Sequence, residues 1–427
     1  MKTVGIIAEY NPFHKGHAYQ LRKARELSGA DFAVVVMSGD FVQRGYPAVT
    51  DKYLRAEMAL AGGADLVLEL PAVYATGSAE TFARGAVAVL EELGCIDALC
   101  FGSEKGELSA LLPYARLFEE EPPLYRELLQ SYLKQGLSFP AARGQAAEEY
   151  WNSTERILPC CADDADCRRA ASVLEEPNNI LGIEYLRALL HRNSAIRPLT
   201  VRRESAGYHE LTLEAEMASA TAIRKGVEQF QGDLEEQVRD QLPEVSAKLL
   251  TQALQKGEMV SLQDFSPQLF YRLLNMSQEE LGAVQEVGEE LAARIYKNRF
   301  AFTTAEDFTD LIKTRQVTHT RVTRALCHML LGLSQDGLDA CRALDYPAYL
   351  RPLGFKKSAG PLLAAIKREG RSPLLTKMAD ASGKLSPERC QLLRQDVAAA
   401  HLYEGAKTLK TGRPLRHEYT RTPVILP

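Results

Sequence analysis

Residues 3–17 read TVGIIAEYNPFHKGH, and the fold follows from how that stretch divides. Thr3 to Ala8 is an apolar run, a short strand buried by the chain around it. A polar turn follows, shaped by Asn11 and Pro12. His14-Lys15-Gly16-His17 then stands at the mouth of a helix, because Ala18, Leu21, Ala24 and Leu27 recur at helical spacing between His17 and Ser28. Two histidines three apart beside a glycine, just past a first strand, suit a nucleotide phosphate. The imidazoles donate N–H groups, Gly16 admits close approach, and the helix start adds a positive dipole end.

Working outward, Phe32 to Met37 (FAVVVM) is a second strand, apolar on both faces, as a parallel sheet covered by helices requires. Thr50 is placed to cap a helix from Asp51 to Ala61, stopped by Gly62-Gly63. Leu66 to Glu69 is a third strand, Ser78 to Leu93 a helix, and Ala98 to Phe101 a fourth strand that Gly102-Ser103-Glu104 follows. This alternation predicts a Rossmann-like, doubly wound α/β domain, which binds ligands at the carboxyl ends of its strands. Residues 107–149 read as helical. Glu176-Pro177-Asn178-Asn179 opens a helix to His191, and Arg197 to Arg203 is a further strand. Trp151 to Arg169 reads as a surface insertion. Its Cys160, Cys161 and Cys167 lack zinc spacing, so no metal site is expected.

Ser219-Ala220-Thr221-Ala222-Ile223-Arg224 begins another helix, whose hydroxyls and guanidinium could meet a phosphate. Beyond Gly226 the chain turns long, polar and helical. The division expected is 1–226 as the nucleotide-binding domain and 227–427 as a mainly helical, basic region. Residues 282–300 resemble a helix-hairpin-helix turn, with amides around Gly288 open to a phosphate. Residues 313–330 bring Arg315, His319, Arg321 and Arg324 close together.

At 427 residues the chain exceeds one compact core. No run of about 18 apolar residues appears, so no membrane span is expected. The first residues carry no basic leader or cleavage site, and eight scattered cysteines contain no CxxC pair. Reduced thiols in a cytoplasm fit that pattern. The net charge of −5 hides an asymmetry: residues 294–427 hold 23 Lys and Arg against 12 Asp and Glu, a balance of +11 that leaves −16 for the rest. Such a tail points to a polyanion.

HKGH after a first strand, with SATAIRK near residue 220, resembles the nucleotidyltransferase superfamily. GIIAEYNPFHKGHAYQL, SGDFVQRGYPAVTDKYLRAEMAL, GADLVLELP, FGSE, EPNNILGIEYL and RRESAGYH, in that order, resemble the bacterial tRNA(Met) cytidine acetate ligase family over most of the chain. The resemblance implies a nucleotidyltransferase-like domain that forms acetyl-adenylate from ATP and acetate. The acetyl group then passes to N4 of the wobble cytidine of elongator tRNA(Met), and Mg²⁺ accompanies the triphosphate. It implies an ATP site made by Ile7, Ala8, Glu9, Tyr10, Asn11, Pro12, Phe13, His14, Lys15, Gly16, His17, Ala18, Tyr19 and Gln20, with Gly102, Asn178 and Arg203. His14, Lys15 and His17 are the catalytic group. The insertion leaves Asn178 or Asn179, and Arg202 or Arg203, open as the contact, and Ser219-Ala220-Thr221 lacks the middle serine of the superfamily motif. Two other readings share the first motif: an adenylyltransferase of a small metabolite, and a non-catalytic RNA-binding protein.

Overall fold

The apolar run at the start becomes β1 (Thr3–Ala8), and the helix after it is α1 (Lys15–Ser28). In the computed structural model, which describes residues 1–154, 173–203 and 241–427, the chain continues through β2 (Phe32–Ser38), α2 (Lys52–Ala61), β3 (Leu66–Leu70), α3 (Ala72–Ala75), α4 (Ala79–Glu92) and β4 (Ala98–Ser103). Next come α5 (Leu108–Glu120), α6 (Pro123–Lys134), α7 (Phe139–Ser153), α8 (Pro177–His191) and β5 (Arg197–Arg202). Strands β1 to β5 are parallel and lie in the order β5-β4-β1-β2-β3. Successive side chains leave opposite faces. Val34, Val36, Leu66 and Leu68 therefore join one buried cluster, and Val4, Ile6, Val35, Met37 and Val67 join the other. That two-sided burial makes the domain doubly wound.

Helix starts differ from the expectation by one or two residues. Helix α1 begins at Lys15, with His14 as its N-cap. Helix α2 is capped by Asp51 rather than Thr50, because the Asp51 carboxylate accepts from the amides of Tyr53 (3.1 Å) and Leu54 (3.0 Å). Trp151 does not open an insertion. It sits in the last turn of α7, edge-on to Tyr150 at 5.3 Å and Tyr114 at 6.4 Å. Cys160, Cys161 and Cys167, the helix start Ser219 to Arg224, and the boundary at Gly226 lie outside the described residues.

The C-terminal region is mainly helical: α9 (Glu244–Gln255), α10 (Ser266–Asn275), α11 (Gln278–Gly282), α12 (Gly288–Asn298), α13 (Ala305–Ile312), α14 (His319–Leu331) and α15 (Gln335–Ala343). It has its own core, centred on Phe265, Leu269, Leu291, Ile295, Phe308 and Leu326. The chain then returns to the first sheet. Strand β6 (Pro352–Lys356) pairs antiparallel with β3, and after α16 (Gly360–Glu369), α17 (Ala381–Lys384) and α18 (Pro387–Thr411), β7 (Val424–Leu426) pairs with β6.

A buried ionic cluster fastens this return. Lys52 Nζ, at 1% exposure, lies 2.6 Å from Glu69 and 2.7 Å from Glu418. Arg351 reaches Glu69 at 2.7 Å and donates to the Tyr53 hydroxyl at 2.8 Å. Charges this deep persist only when matched. The cluster therefore requires residues 52, 69, 351 and 418 together.

Candidate active site

Strands β1 and β4 pair only at Val4–Ala98 and Gly5–Leu99. Beyond those residues the two strands run on without pairing toward their carboxyl ends. The chain leaves β1 toward β2 on one side and returns as β4 on the other, so the strand order reverses here. A crevice at such a switch point is where open α/β sheets take ligands.

The histidines form one wall. His14 is extended (φ −123°, ψ 174°), and its Nδ1 accepts the amide of Gly16 at 3.1 Å. His17 Nδ1 accepts the amide of His14 at 3.3 Å. The pair is a capping box built from imidazoles instead of Ser and Glu. An Nδ1 that accepts carries no proton, so these bonds assign the proton of each ring to Nε2. The rings stack with centroids 3.6 Å apart and planes 24° apart. Burial first, then the neighbouring His14 and the Arg203 guanidinium, hold His17 well below the usual histidine range. His17 is thus a neutral N–H donor. A Cβ on Gly16 would fall 2.9 Å from His14 Cε1, so the glycine makes room for the imidazole.

The turn before the pair is tied to the loop that follows β2. Asn11 Oδ1 accepts the Val49 amide at 2.8 Å, the Asn11–Pro12 bond is cis, and Tyr10 has φ 47°. Tyr10, Asn11, Pro12 and Phe13 are buried, as is Ile7. Arg55, fully buried, donates to the carbonyls of Glu9 (2.6 Å), Thr50 (3.1 Å) and Gly39. The Glu9 carboxylate accepts the Gln43 amide at 2.8 Å. Lys15 is exposed, while Ala8, Glu9, Gly16, Ala18, Tyr19 and Gln20 are half-buried. The implied Ile7–Gln20 contact stretch therefore divides into a buried support and an accessible rim.

The other wall comes from β4, α8 and β5. Gly102 lies inside β4, not after it, and a Cβ there would stand 3.2 Å from Arg203 Cγ. Glu104 was not read as a site residue. Its carboxylate accepts the amide of Asn179 at 2.9 Å and the side-chain NH₂ of Asn178 at 2.5 Å, and so anchors the start of α8. Asn178 Oδ1 in turn accepts from Arg203 at 2.8 Å. Asn179 is fully buried, and its Oδ1 accepts the Lys105 amide at 3.2 Å. Arg202 is exposed at the end of β5, against Gly106. Asn178 and Arg203 are therefore the joined pair, and Arg203 lies close enough to His17 for its charge to act there.

The arrangement suits a nucleotide triphosphate, with neutral donors on one wall and a guanidinium on the other. Among the described residues no three His, Cys, Asp or Glu side chains converge as a metal site. A Mg²⁺ ion would have to be held chiefly by the phosphates.

Part of the expected phosphate-binding hairpin turn packs against protein, whereas α12 starts at Gly288 without a side-chain cap and a Cβ on Gly288 would meet nothing within 4 Å. The amides of Gln285, Glu286 and Val287 donate to Leu333 O (3.0 Å), Gln335 Oε1 (3.0 Å) and Val284 O (3.1 Å). Gln285 Nε2 donates to Val73 O at 3.0 Å, which docks the turn against the end of α3. Arg324 is not part of an open basic cluster either; it pairs with Glu286 at 3.0 Å. Arg315 and Arg321 are exposed, and His319 lies 3.8 Å from Asp310.

Comparison with known proteins bears on this geometry. The HIGH Nucleotidyl Transferase family model matches residues 1–416. A tRNA(Met) cytidine acetate ligase of Thermoanaerobacter sp. (strain X514) is 38% identical over 404 residues, 94% of this chain and 95% of the relative. The tRNA(Met) cytidine acetate ligase of Acetivibrio thermocellus is 36% identical, with both chains covered in full. The crystal structure of Thermotoga maritima TmcAL bound with alpha-thio ATP superposes with a TM-score of 0.89 at 31% identity, covering 100% of each chain.

Proposed function

The chain belongs to the tRNA(Met) cytidine acetate ligases within the HIGH nucleotidyl transferase family, and from that premise we propose the reaction it performs and the residues that perform it. It is an ATP-dependent ligase that acetylates N4 of the wobble cytidine of elongator tRNA(Met), in the cytoplasm where that tRNA is found. The observation that carries the residue assignment is the stacked pair His14 and His17 at the start of α1, each with its Nδ1 accepting a backbone amide.

Acetate is a poor acyl donor, because its leaving group would be oxide. A carboxylate oxygen of acetate attacks the α-phosphorus of ATP. The bond from that phosphorus to the bridging oxygen breaks, and pyrophosphate leaves with the electron pair. His14 and His17 donate to the phosphate oxygens where charge accumulates, and Lys15 adds a cation at the mouth. Arg203, held by Asn178, faces them across the crevice and orients the α-phosphate or the acetate. Gly102 leaves room for the nucleoside, and the Ala8–Glu9 and Ala18–Gln20 segments border it. A Mg²⁺ ion would be held chiefly by the triphosphate and would neutralise part of its charge. In the second step N4 of cytidine attacks the acyl carbon, the bond to AMP breaks, and the amine loses its proton. That exocyclic amine is a weak nucleophile, so positioning supplies much of the rate.

The test is incubation with ATP, radiolabelled acetate and elongator tRNA(Met). Acid-precipitable label should appear only when all three are present. Label that forms with no tRNA, or with any tRNA alike, would contradict the reading.

A further inference from the structure

One face of α10 is turned outward. Leu269 and Leu273 are buried in the C-terminal core, whereas Tyr271 is 66% exposed and Phe270 36%. Phe300, in the turn after α12, is 72% exposed, and Arg299 beside it lies 4.2 Å from the centre of its ring and 3.7 Å from that of Tyr296. Phe270 stacks flat on Phe302, which ties the two segments together, with centroids 5.4 Å apart and planes 8° apart. Neither 265–276 nor 291–302 contains an acidic residue, while they carry Arg272, Arg294, Lys297 and Arg299. Among the described residues none of these four cations has a carboxylate partner, and Arg294 is spent on the carbonyls of Ile312 and Leu311. Arg299 instead donates to the Tyr296 carbonyl at 2.6 Å.

Exposed rings interleaved with uncompensated cations are what unpaired nucleobases stack on, while their phosphates meet the charge. A second copy of the chain fits less well. A two-fold contact here would gather the uncompensated cations of both copies into one interface, with no carboxylate on these segments to meet them.

We propose that Phe300 and Tyr271, with Lys297 and Arg299, form a base-stacking platform that holds an unpaired loop of the tRNA. The proposal rests on the tRNA ligase reading above. It gives the C-terminal region a contact that is neither the hairpin turn nor Arg324.

The experiment measures tRNA affinity at several salt concentrations for wild type, Phe300→Ala, Phe300→Trp and the double variant Lys297→Gln/Arg299→Gln. Phe300→Ala should weaken binding about tenfold with an unchanged salt slope, since stacking releases no counterions. Phe300→Trp should retain affinity, and its added emission should be quenched by tRNA. The double variant should lower both affinity and slope. Thermal melts of the Phe300 variants should match wild type, because that side chain is largely solvent-facing. Wild-type binding that Phe300→Ala leaves unchanged would overturn this inference alone. So would a Phe300→Ala variant that loses only self-association. Wild type that binds no tRNA at all would sink the ligase reading, and this inference with it.

Discussion

His17 shows how a surface-looking pattern becomes chemistry. Its Nδ1 is consumed by the helix cap, and its surroundings keep it uncharged, so it can only donate through Nε2. A group with its folded pKa below the ordinary 6.5 stays neutral where the unfolded chain would protonate. That difference costs stability as pH falls through 6.5, but leaves the catalytic form intact. Acetyl-adenylate formation should therefore show no inflection near pH 6.5; a limb there that disappears in His17→Asn would contradict a neutral donor. His17→Ala should slow the step on the order of 10²–10³-fold, as loss of a preorganised donor does. Glu104→Ala should raise the KM for ATP by freeing Asn178 and Arg203, and an unchanged KM would remove Glu104 from the support of the site. The histidine pair was legible in the sequence because spacing and position coincide. Glu104 was not, because its partners lie 74 and 75 residues away and nothing local marks which helix start it faces.

At the scale of elements, the alternation of apolar runs with amphipathic stretches placed every strand from β1 to β5. Helix starts slipped where an unusual residue makes the cap, as His14 does for α1. The hairpin turn before α12 is legible by its shape, yet shape does not say which of its amides pack against protein, as those of Gln285 and Glu286 do. Gln285, fully buried, locks it to the carbonyl of Val73. Arg324 and Arg321 should accordingly part company. Arg324→Ala should lower stability by about 3 kcal/mol in denaturant melts, because it strands the Glu286 carboxylate. Arg321→Ala should leave the melt unchanged and reduce the salt slope of tRNA binding by about one. Equal melts for both variants would mean that the Arg324–Glu286 pair does not hold the turn.

Over the whole molecule, charge composition was only half informative. The acidic front and basic tail are partly spent on each other. Lys407 pairs with Asp51 at 2.9 Å, Arg389 with Glu92 at 3.0 Å, Arg413 with Glu258 at 2.7 Å, and Arg351 with Glu69. A net balance cannot separate cations neutralised within the fold from those left for RNA. Nor could short strands so late in the chain announce that they complete the first sheet. The Lys52–Glu69–Arg351–Glu418 cluster should therefore be a whole-molecule lock. Glu418→Ala should cost about 3–5 kcal/mol, the amount typical of breaking a buried pair. Lys52 and Arg351 hold the Glu418 carboxyl down at about 2 in spite of its burial. Its contribution is thus full above the ordinary 4.5 and is lost as pH falls through about 2. Wild-type stability should decline over that window more steeply than that of Glu418→Gln, and parallel declines would contradict the lock.

The most direct test of the central claim is mass spectrometry of nucleosides from elongator tRNA(Met) incubated with the protein, ATP and acetate. Cytidine bearing one acetyl group, absent when ATP or acetate is omitted or when His14 and His17 are both replaced by alanine, is the result predicted. Unmodified cytidine in the complete reaction, or acetylation that persists without ATP, would contradict it.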